Sequence, residues 1–376
     1  MFWQREYLRQ GASLTLNSTY QVDLPANGNL GSIILYISGP QDAALGVQAK
    51  KWRICDFISK IEVIADGSEV IKSITGKQAQ ALGYLDQGVV SPDMIRNYAA
   101  NDQRAYFLIN FGRFLKDFDY GLVLEKFNNV ELKITNDATA TEFTSLSCDI
   151  MCYYLRDVTS AQFKGCMYTE VWRDYIPVAS GVQYLELPTN WLIRRILLNP
   201  LPGFDGSTYK WYTALNNLMY NIELSFKTGV ERVWKDGFQQ LMICNYLENG
   251  KYVLPAGLIY QSADTGKDIG LGYTFGVGGI SASKDGAVSA VIPTIEADTS
   301  SNILSFESYE ADAPISIIAS GMGYHSIGFF DFDKNPDPST WLNTRVKDVV
   351  KLDITTRSTA TVTDAHNKIV VDRLVA

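Results

Sequence analysis

Residues 20–27 read YQVDLPAN, and residues 183–190 read QYLELPTN. In both stretches apolar and polar residues alternate up to a Leu-Pro pair, which is the pattern of a strand with one buried face. Proline fixes φ and has no N–H to donate, so it ends the strand, and the Asn after it suits a turn. The similarity indicates that the chain contains two copies of one β-strand unit.

The blocks that follow repeat in the same order. A second apolar run comes at the same distance in each copy, at residues 30–35 and 193–198, and IEV at 61–63 matches IEL at 222–224. Residues 67–85 then align without a gap on 229–247. The identical pairs in this block are Gly67/Gly229, Glu69/Glu231, Gln78/Gln240, Tyr84/Tyr246 and Leu85/Leu247.

The repeated block predicts a hairpin followed by a helix. Ile222, Leu224 and Phe226 alternate with polar residues, and Asp66-Gly67 is a strong tight-turn signal. After the returning strand, apolar residues fall at helical spacing. The copies also end alike, because FNNVELKIT at 127–135 resembles VVKLDIT at 349–355, and one more strand follows each. With about eight strand candidates per half, the sequence predicts an all-β fold of two tandem eight-stranded jelly-roll sandwiches with short accessory helices.

The 376 residues divide at the end of the first copy. We expect an N-terminal arm and first jelly roll at 1–158 and a second jelly roll at 159–376. The offset between copies grows towards the C-terminus, so the second half carries an insertion of about sixty residues at 249–314, which its glycines and small polar residues indicate to be an elaborated loop. The first half has a shorter excursion at 86–104, with a helix expected near 92–100.

Composition argues against several functions. The net charge is −8, and no cluster of Lys and Arg is present, so we expect no direct sequence-specific binding of nucleic acid. The five cysteines are irregularly spaced, which favours buried free thiols in a reducing compartment. The N-terminus has no secretory signal, and no window has the roughly 20 apolar residues that span a bilayer. Because only His325 and His366 are present and no catalytic motif occurs, we expect no enzyme activity.

Two tandem jelly rolls in one chain of this size, each with a helix after its early hairpin, resemble the double jelly-roll major capsid proteins of tailless icosahedral viruses, many of which enclose a membrane. The resemblance implies pseudo-hexagonal homotrimers that form an icosahedral virion shell after assembly in the host cytoplasm. The partners would be neighbouring trimers, penton or vertex proteins and minor capsid proteins. The insertion at 249–314 would face outward, and the N-terminal segment would lie at the inner face.

Two groups of residues are candidates for binding. Trp3, Arg5, Tyr7 and Arg9 combine aromatic and cationic side chains, which suits the lipid headgroups of an internal membrane; the alternative is an arm ordered by a neighbouring subunit.

Asp331, Asp333, Asn335 and Asp337 alternate along one loop and could hold a structural Ca²⁺. Pro336 and Leu342 stand where a calcium-binding EF-hand needs Gly and Glu, which favours a solvated turn instead.

Two other functions stay open. Jelly rolls also occur in glycan-binding and glycan-processing proteins, and the 21 Tyr and seven Trp could stack on sugars. Aromatic residues of a sandwich, however, more often fill its core or a subunit interface. A viral spike protein built from the same modules is the third candidate.

Overall fold

The structure is a computed structural model of the chain. It describes residues 1–42, 53–94, 96–97, 102–157, 163–201, 211–250, 252–260, 267–270, 277–284, 303–306, 314–333, 337–347, 349–360 and 362–376. Contacts group the chain into two compact units. The first unit holds the described residues up to Met167 and those within 251–297 and 303–325, and the second holds those within 168–250 and 326–376.

The described residues from 1 to 157 form ten strands. They are β1 (Phe2–Leu14), β2 (Thr19–Asp23), β3 (Asn29–Pro40), β4 (Ile58–Ala65), β5 (Glu69–Ile74), β6 (Arg96–Asn97), β7 (Asp102–Asn110), β8 (Leu122–Val123), β9 (Val130–Asn136) and β10 (Leu146–Arg156).

Nine of these strands lie in two antiparallel sheets of the first unit. One sheet has the order β1-β10-β3-β7, with β8 paired to β3, and the other has the order β2-β9-β4-β5. Their inward residues alternate with outward ones: Ile33, Leu35 and Ile37 of β3 are buried, as are Leu132 and Ile134 of β9. This alternation follows from the pleat of a strand and encloses one core between the sheets.

The second unit is built from strands on both sides of the insertion. Before the insertion come β11 (Cys166–Tyr175), β12 (Val182–Leu187), β13 (Leu192–Leu201), β14 (Asn221–Phe226) and β15 (Glu231–Asp236). The insertion contains β16 (Tyr252–Tyr260), β17 (Lys267–Gly270), β18 (Val277–Lys284), β19 (Ile303–Phe306) and β20 (Pro314–Met322). After it come β21 (Gly328–Asp331), β22 (Leu342–Asn343), β23 (Val350–Thr355) and β24 (His366–Val375).

The sheets of the second unit repeat the strand order of the first. One runs β11-β24-β13-β21, with β22 paired to β13, and the other runs β12-β23-β14-β15. Numbered within its own unit, each jelly roll therefore has sheets of order 1-8-3-6 and 2-7-4-5. The predicted all-β fold with two eight-stranded jelly rolls is confirmed, and the sequence repeat reflects a repeat of topology.

The helices are short, and two of them follow the repeated hairpins. They are α1 (Ile54–Phe57), α2 (Gly76–Gln87), α3 (Trp211–Leu218) and α4 (Phe238–Asn249), with 3₁₀ turns at Leu124–Lys126, Lys227–Gly229, Tyr324–Ser326, Pro338–Thr340 and Thr344–Val346. In the described part of the chain, no helix is both long and apolar enough to cross a bilayer.

Local chemistry explains the hairpin and helix of the first unit. Asp66 and Gly67 both have positive φ, as the tight turn between β4 and β5 requires. Thr75 then caps α2: its hydroxyl accepts from the N–H of Gln78 at 3.3 Å, and the Gln78 side chain accepts from the N–H of Thr75 at 3.0 Å. Gly88, in the left-handed conformation, ends the helix.

The two excursions differ from the sequence predictions. The helix expected near 92–100 is wrong for the residues described there, since Arg96–Asn97 is a strand and Met94 forms a bridge with Arg104. The pairing of Met94 with Arg104 places this segment beside β7 in an extended conformation instead.

The insertion expected as a loop at 249–314 contains strands and extends to Met322: β18, β20 and β16 form a sheet with β6 of the first half, and β17 pairs with β19. By their contacts, the described strands of the insertion belong to the first unit. The domain boundary expected near residue 158 stays a prediction.

Candidate assembly surfaces

The N-terminal segment is an edge strand, because β1 pairs with β10 from Phe2↔Arg156 to Leu14↔Leu146. Bulges interrupt the register between Tyr7 and Ala12, where Gly11 adopts positive φ. The segment at the start of the chain, expected as an arm, is thus ordered by its own jelly roll in the structure.

Trp3 packs against this sheet on the face opposite the core and is partly buried, whereas the other three aromatic and cationic residues of the segment are exposed. Its ring lies 5.7 Å from that of Phe118 and contacts an apolar cluster of Val123, Leu155 and Phe163. It also lies directly against Gly31 of β3. Trp3 therefore anchors β1 to the outer side of the sheet.

Arg5, Tyr7 and Arg9 are exposed on β1. Arg5 pairs with Tyr153 and Tyr7 with Met151 across the β1–β10 ladder, so both lie on the sheet face opposite the core. The structure thus separates the four residues into one packing residue, Trp3, and three that remain available to a partner.

Further exposed apolar side chains lie near the start of β1. Met1, Phe2, Phe114 and Phe118 are each at least 40% exposed. Arg113 stacks on Phe114 at 5.4 Å from its ring centroid, and Lys116 lies over Tyr153 at 5.8 Å. This end of the first jelly roll therefore combines aromatic and cationic groups, although Asp117 and Asp119 already bind Arg113.

The acidic loop of the second unit is engaged by arginines. Asp333 accepts from Arg194 Nε at 2.7 Å and from Trp341 Nε1 at 2.9 Å, and Asp331 lies 3.3 Å from Arg195 Nε. Asp337 caps a 3₁₀ turn by accepting from the N–H of Ser339 at 2.9 Å. Asn335 lies outside the described residues.

This arrangement identifies the counterions of two buried cations. Arg194 and Arg195 are both 4% exposed and interrupt the apolar run of β13. A buried cation is costly unless it is paired, so such arginines require carboxylates nearby. Two arginines within an apolar strand are therefore a signal in the sequence for nearby carboxylates. The spacing of the acidic residues alone predicts a calcium site or a solvated turn instead. Within the described residues no group of three or more His, Cys, Asp or Glu side chains is placed to hold a metal ion.

A buried polar network fixes α2 in the first unit. Arg53 Nη2 and Gln80 Nε2 each donate to Asp93 Oδ2 at 2.8 Å, and Lys77 lies 2.8 Å from Asp56. Burial lowers the pKa of Lys77, and the pair with Asp56 opposes that effect.

His325 belongs to the same network. It is buried, and its Nε2 lies 2.8 Å from Gln80 Oε1. The other histidine, His366, is exposed and bonded to Asp174 at 2.8 Å. Both thus have structural partners of their own.

One exposed surface of the second unit is not among the sites predicted from the sequence. Ile176, Val178, Val182 and Tyr184, called the apolar face below, are 60%, 70%, 40% and 73% exposed. They lie on the corner before β12 and on β12 itself, whose outward positions alternate with buried Leu185 and Leu187. The signal is present in the sequence, because Val182 and Tyr184 occupy two of the three outward positions of this edge strand and only Glu186 is polar there.

Several solved structures are similar to this chain over nearly its whole length. The chain is similar to the STIV MCP, from Sulfolobus turreted icosahedral virus, with 12% identity and a TM-score of 0.58 over 100% of this chain and 97% of that one. It is also similar to a chain of the PBCV-1 virus capsid, with 12% identity and a TM-score of 0.52 over 100% of this chain and 95% of that one.

A third similarity, to PBCV-1 VP54 fitted into a reconstruction of the virophage Sputnik, has 11% identity and a TM-score of 0.52 over 99% and 94% of the two chains. No protein-family model and no curated protein sequence matches the chain. At these identities the likeness concerns architecture: the chain has the double jelly-roll fold of viral major capsid proteins.

Proposed function

We propose that this chain is the major coat subunit of an icosahedral virus and acts by self-assembly, not by catalysis. The observation that carries the proposal is the presence of two jelly rolls with identical strand order in one chain, similar over its whole length to the STIV MCP. A duplicated module lets a trimer present six similar sandwiches. Pseudo-hexagonal homotrimers that pack beside neighbouring trimers are the assembly that such a subunit suits.

The other parts of the proposal follow from a shell subunit. Its partners are copies of itself, penton or vertex proteins and minor capsid proteins, and its location is the virion after assembly in the host cytoplasm. The strands inserted at 249–314 connect α4 to β21, and we place them on the outward side. Five cysteines without a disulfide suit assembly in a reducing compartment.

Sedimentation velocity tests the assembly directly. We expect the purified protein to sediment as a trimer of the 41.9 kDa chain or as a larger species, and negative-stain micrographs to show hexagonal outlines. A protein that stays strictly monomeric at high concentration would contradict the proposal. Monomers that bind on a glycan array would favour the glycan-binding or glycan-processing alternative. A low copy number per particle would favour a spike protein.

We propose membrane contact at the inner face as a finer part of this function. The exposed Met1, Phe2, Phe114 and Phe118, with the cations Arg5 and Arg9 on β1, support it, because aromatic and cationic groups together suit anionic headgroups. The alternative is contact with a neighbouring subunit.

Flotation with phosphatidylglycerol vesicles tests the membrane contact. We expect binding that Phe2→Ser combined with Phe118→Ser weakens, while Val89→Ser, at an exposed position on another part of the first unit, serves as the control. No flotation of the wild-type protein would exclude the lipid and favour the neighbouring subunit.

A further inference from the structure

The two jelly rolls turn the corner before their second strand with the same backbone. Asn17 and Ser180, 163 positions apart, both have positive φ, at 50° and 60°. The N–H of Asn136 donates to the carbonyl of Ser18 at 3.0 Å, and the N–H of Thr356 donates to the carbonyl of Gly181 at 2.9 Å in the same way. Residues of the two corners can therefore be compared position by position.

This comparison shows that the fold does not require the apolar face. At the positions that correspond to Ile176, Val178, Val182 and Tyr184, the first jelly roll has Ser13, Thr15, Thr19 and Gln21. All four polar residues are exposed, as their apolar counterparts are. A polar residue at each position is thus compatible with the same local structure, and the apolar residues of the second copy need another reason.

The four residues lie close together. The carbonyl of Val178 accepts from the N–H of Gly181 at 2.8 Å, which closes the corner next to Val182. Val182 and Tyr184 are two positions apart on β12 and face the same side, opposite Thr355 and Asp353 of β23. With backbone and hydroxyl atoms included, their exposed surface is on the order of 500 Å², so the apolar part is comparable to the largest patch of a typical monomer, which is often functional.

The surroundings of the face favour a copy of the same chain over a strongly charged partner. Asp353 lies opposite Tyr184 on the adjacent strand β23, Glu223 on the next strand, β14, bonds Arg232 at 2.9 Å and Lys235 at 3.1 Å, and Glu186 follows Tyr184 on β12. Both signs are present, so neither nucleic acid nor an acidic peptide is selected. An apolar centre with a mixed polar rim is typical of protein interfaces, and a stable one buries roughly 800 Å² per partner, of which this face would supply more than half.

We propose that the apolar face of Ile176, Val178, Val182 and Tyr184 is a docking surface for a second copy of this chain. The inference rests on the proposed function, because the neighbours of a coat subunit are copies of it. The second jelly roll thereby differs in role from the first: its outer sheet edge makes a contact between subunits that the polar edge of the first cannot make.

The repeat itself supplies the test. A variant with Ile176→Ser, Val178→Thr, Val182→Thr and Tyr184→Gln gives the second corner the residues of the first. We expect self-association, measured by sedimentation velocity across a concentration series, to weaken about tenfold or more. Circular dichroism should show an unchanged secondary structure. The matched control is Val230→Thr with Val346→Thr, which removes side chains that are 81% and 67% exposed elsewhere in the second unit; it should associate like wild type.

The outcomes are distinguishable. Wild-type association in the four-residue variant, or equal weakening in the control, would overturn the docking surface and leave the coat function standing. A monomeric wild-type protein would overturn both. If the four-residue variant does not fold, Tyr184→Gln alone is measured, since it changes the most exposed side chain of the face; association unchanged by it would overturn the inference, and weaker association would support it.

Discussion

Trp3 lies so close to Gly31 that a Cβ built on the glycine would meet the indole Cη2 and Cζ3 atoms at 2.5 Å. Real Cβ atoms do not approach side chains this closely. The first strand of the chain is therefore held by a contact in which an aromatic ring occupies the space that any other residue at position 31 would fill. The glycine and the tryptophan are matched, although 28 positions separate them in the sequence.

Gly31→Ala should destabilise the first unit by about 1–3 kcal/mol, because the new methyl group displaces Trp3. In a Trp3→Leu background the same substitution should cost less, since the ring is absent, and the difference measures the coupling. Urea unfolding of the four proteins gives these values. Gly83→Ala in α2 is the control: its Cβ would lie 3.5 Å from Leu108, an ordinary contact, so it should be neutral or stabilising. Equal costs in both backgrounds would contradict the matched pair.

One thiol per folded chain should react with a thiol reagent at neutral pH. Cys55, Cys148, Cys152 and Cys166 are buried, whereas Cys244 is partly exposed on α4. Burial also raises the pKa of Cys152 to about 11, which lowers its reactive thiolate fraction. Mass spectrometry after alkylation should show a single adduct, lost in Cys244→Ser, and five adducts after denaturation. Rapid labelling of Cys148 or Cys152 in the folded state would contradict the buried core.

The contribution of Asp119 to stability should disappear in acid. The hydrogen bond from Lys164 at 2.7 Å, aided by Arg113 at 2.9 Å, lowers the pKa of Asp119. A carboxylate whose pKa is depressed in the folded state stabilises the fold above its unfolded pKa, near 4, and the benefit is lost as the pH falls through the folded pKa. Asp119→Asn should therefore cost about 0.5 kcal/mol at pH 7, as partly exposed pairs do, and almost nothing near pH 2. If the substitution lowered the free energy of unfolding more at acidic pH than at pH 7, the proposed role of the Asp119 carboxylate would be contradicted.

Calcium should leave the melting temperature unchanged. Asp331 and Asp333 are engaged by Arg195 and Arg194, so a metal ion would have to displace buried ion pairs to use their oxygens. The measurement compares chelator-treated protein with and without added Ca²⁺. A rise in melting temperature that the chelator reverses, and that Asp337→Asn abolishes, would instead support the calcium hypothesis for this loop.

The architecture could be predicted because the sequence contains two copies of the same order of strands. Each alternating strand alone is ambiguous, but the same order of strand, turn and helix in both halves restricts the fold, and Asp66-Gly67 with the Thr75 cap follows known local chemistry. The inserted strands could not be predicted, since they have no counterpart in the first half. Their pairing with Arg96–Asn97 is a long-range contact, and the same contact overrides the helix expected there.

Surface roles could be predicted only in part. Residue type groups Trp3 with Arg5, Tyr7 and Arg9, and only the position of Gly31 across two strand pairings shows that Trp3 packs against the sheet instead of facing a partner. Spacing alone groups the four positions of the acidic loop. Two of them, Asp331 and Asp333, form ion pairs with the buried arginines of β13, which are more than a hundred residues away in the sequence. In each case the missing information is which strands become neighbours.

In each jelly roll the first strand is hydrogen-bonded to the last one. These pairs are β1 with β10 in the first unit and β11 with β24 in the second. During synthesis the first roll can be completed once Arg156 has emerged from the ribosome. The second also needs β24, because β24 is an interior strand that separates β11 from β13. As long as β24 is missing, the open edges of β11 and β13 are exposed to other nascent chains, so termination between β13 and His366 should produce aggregation-prone protein although the first roll is complete.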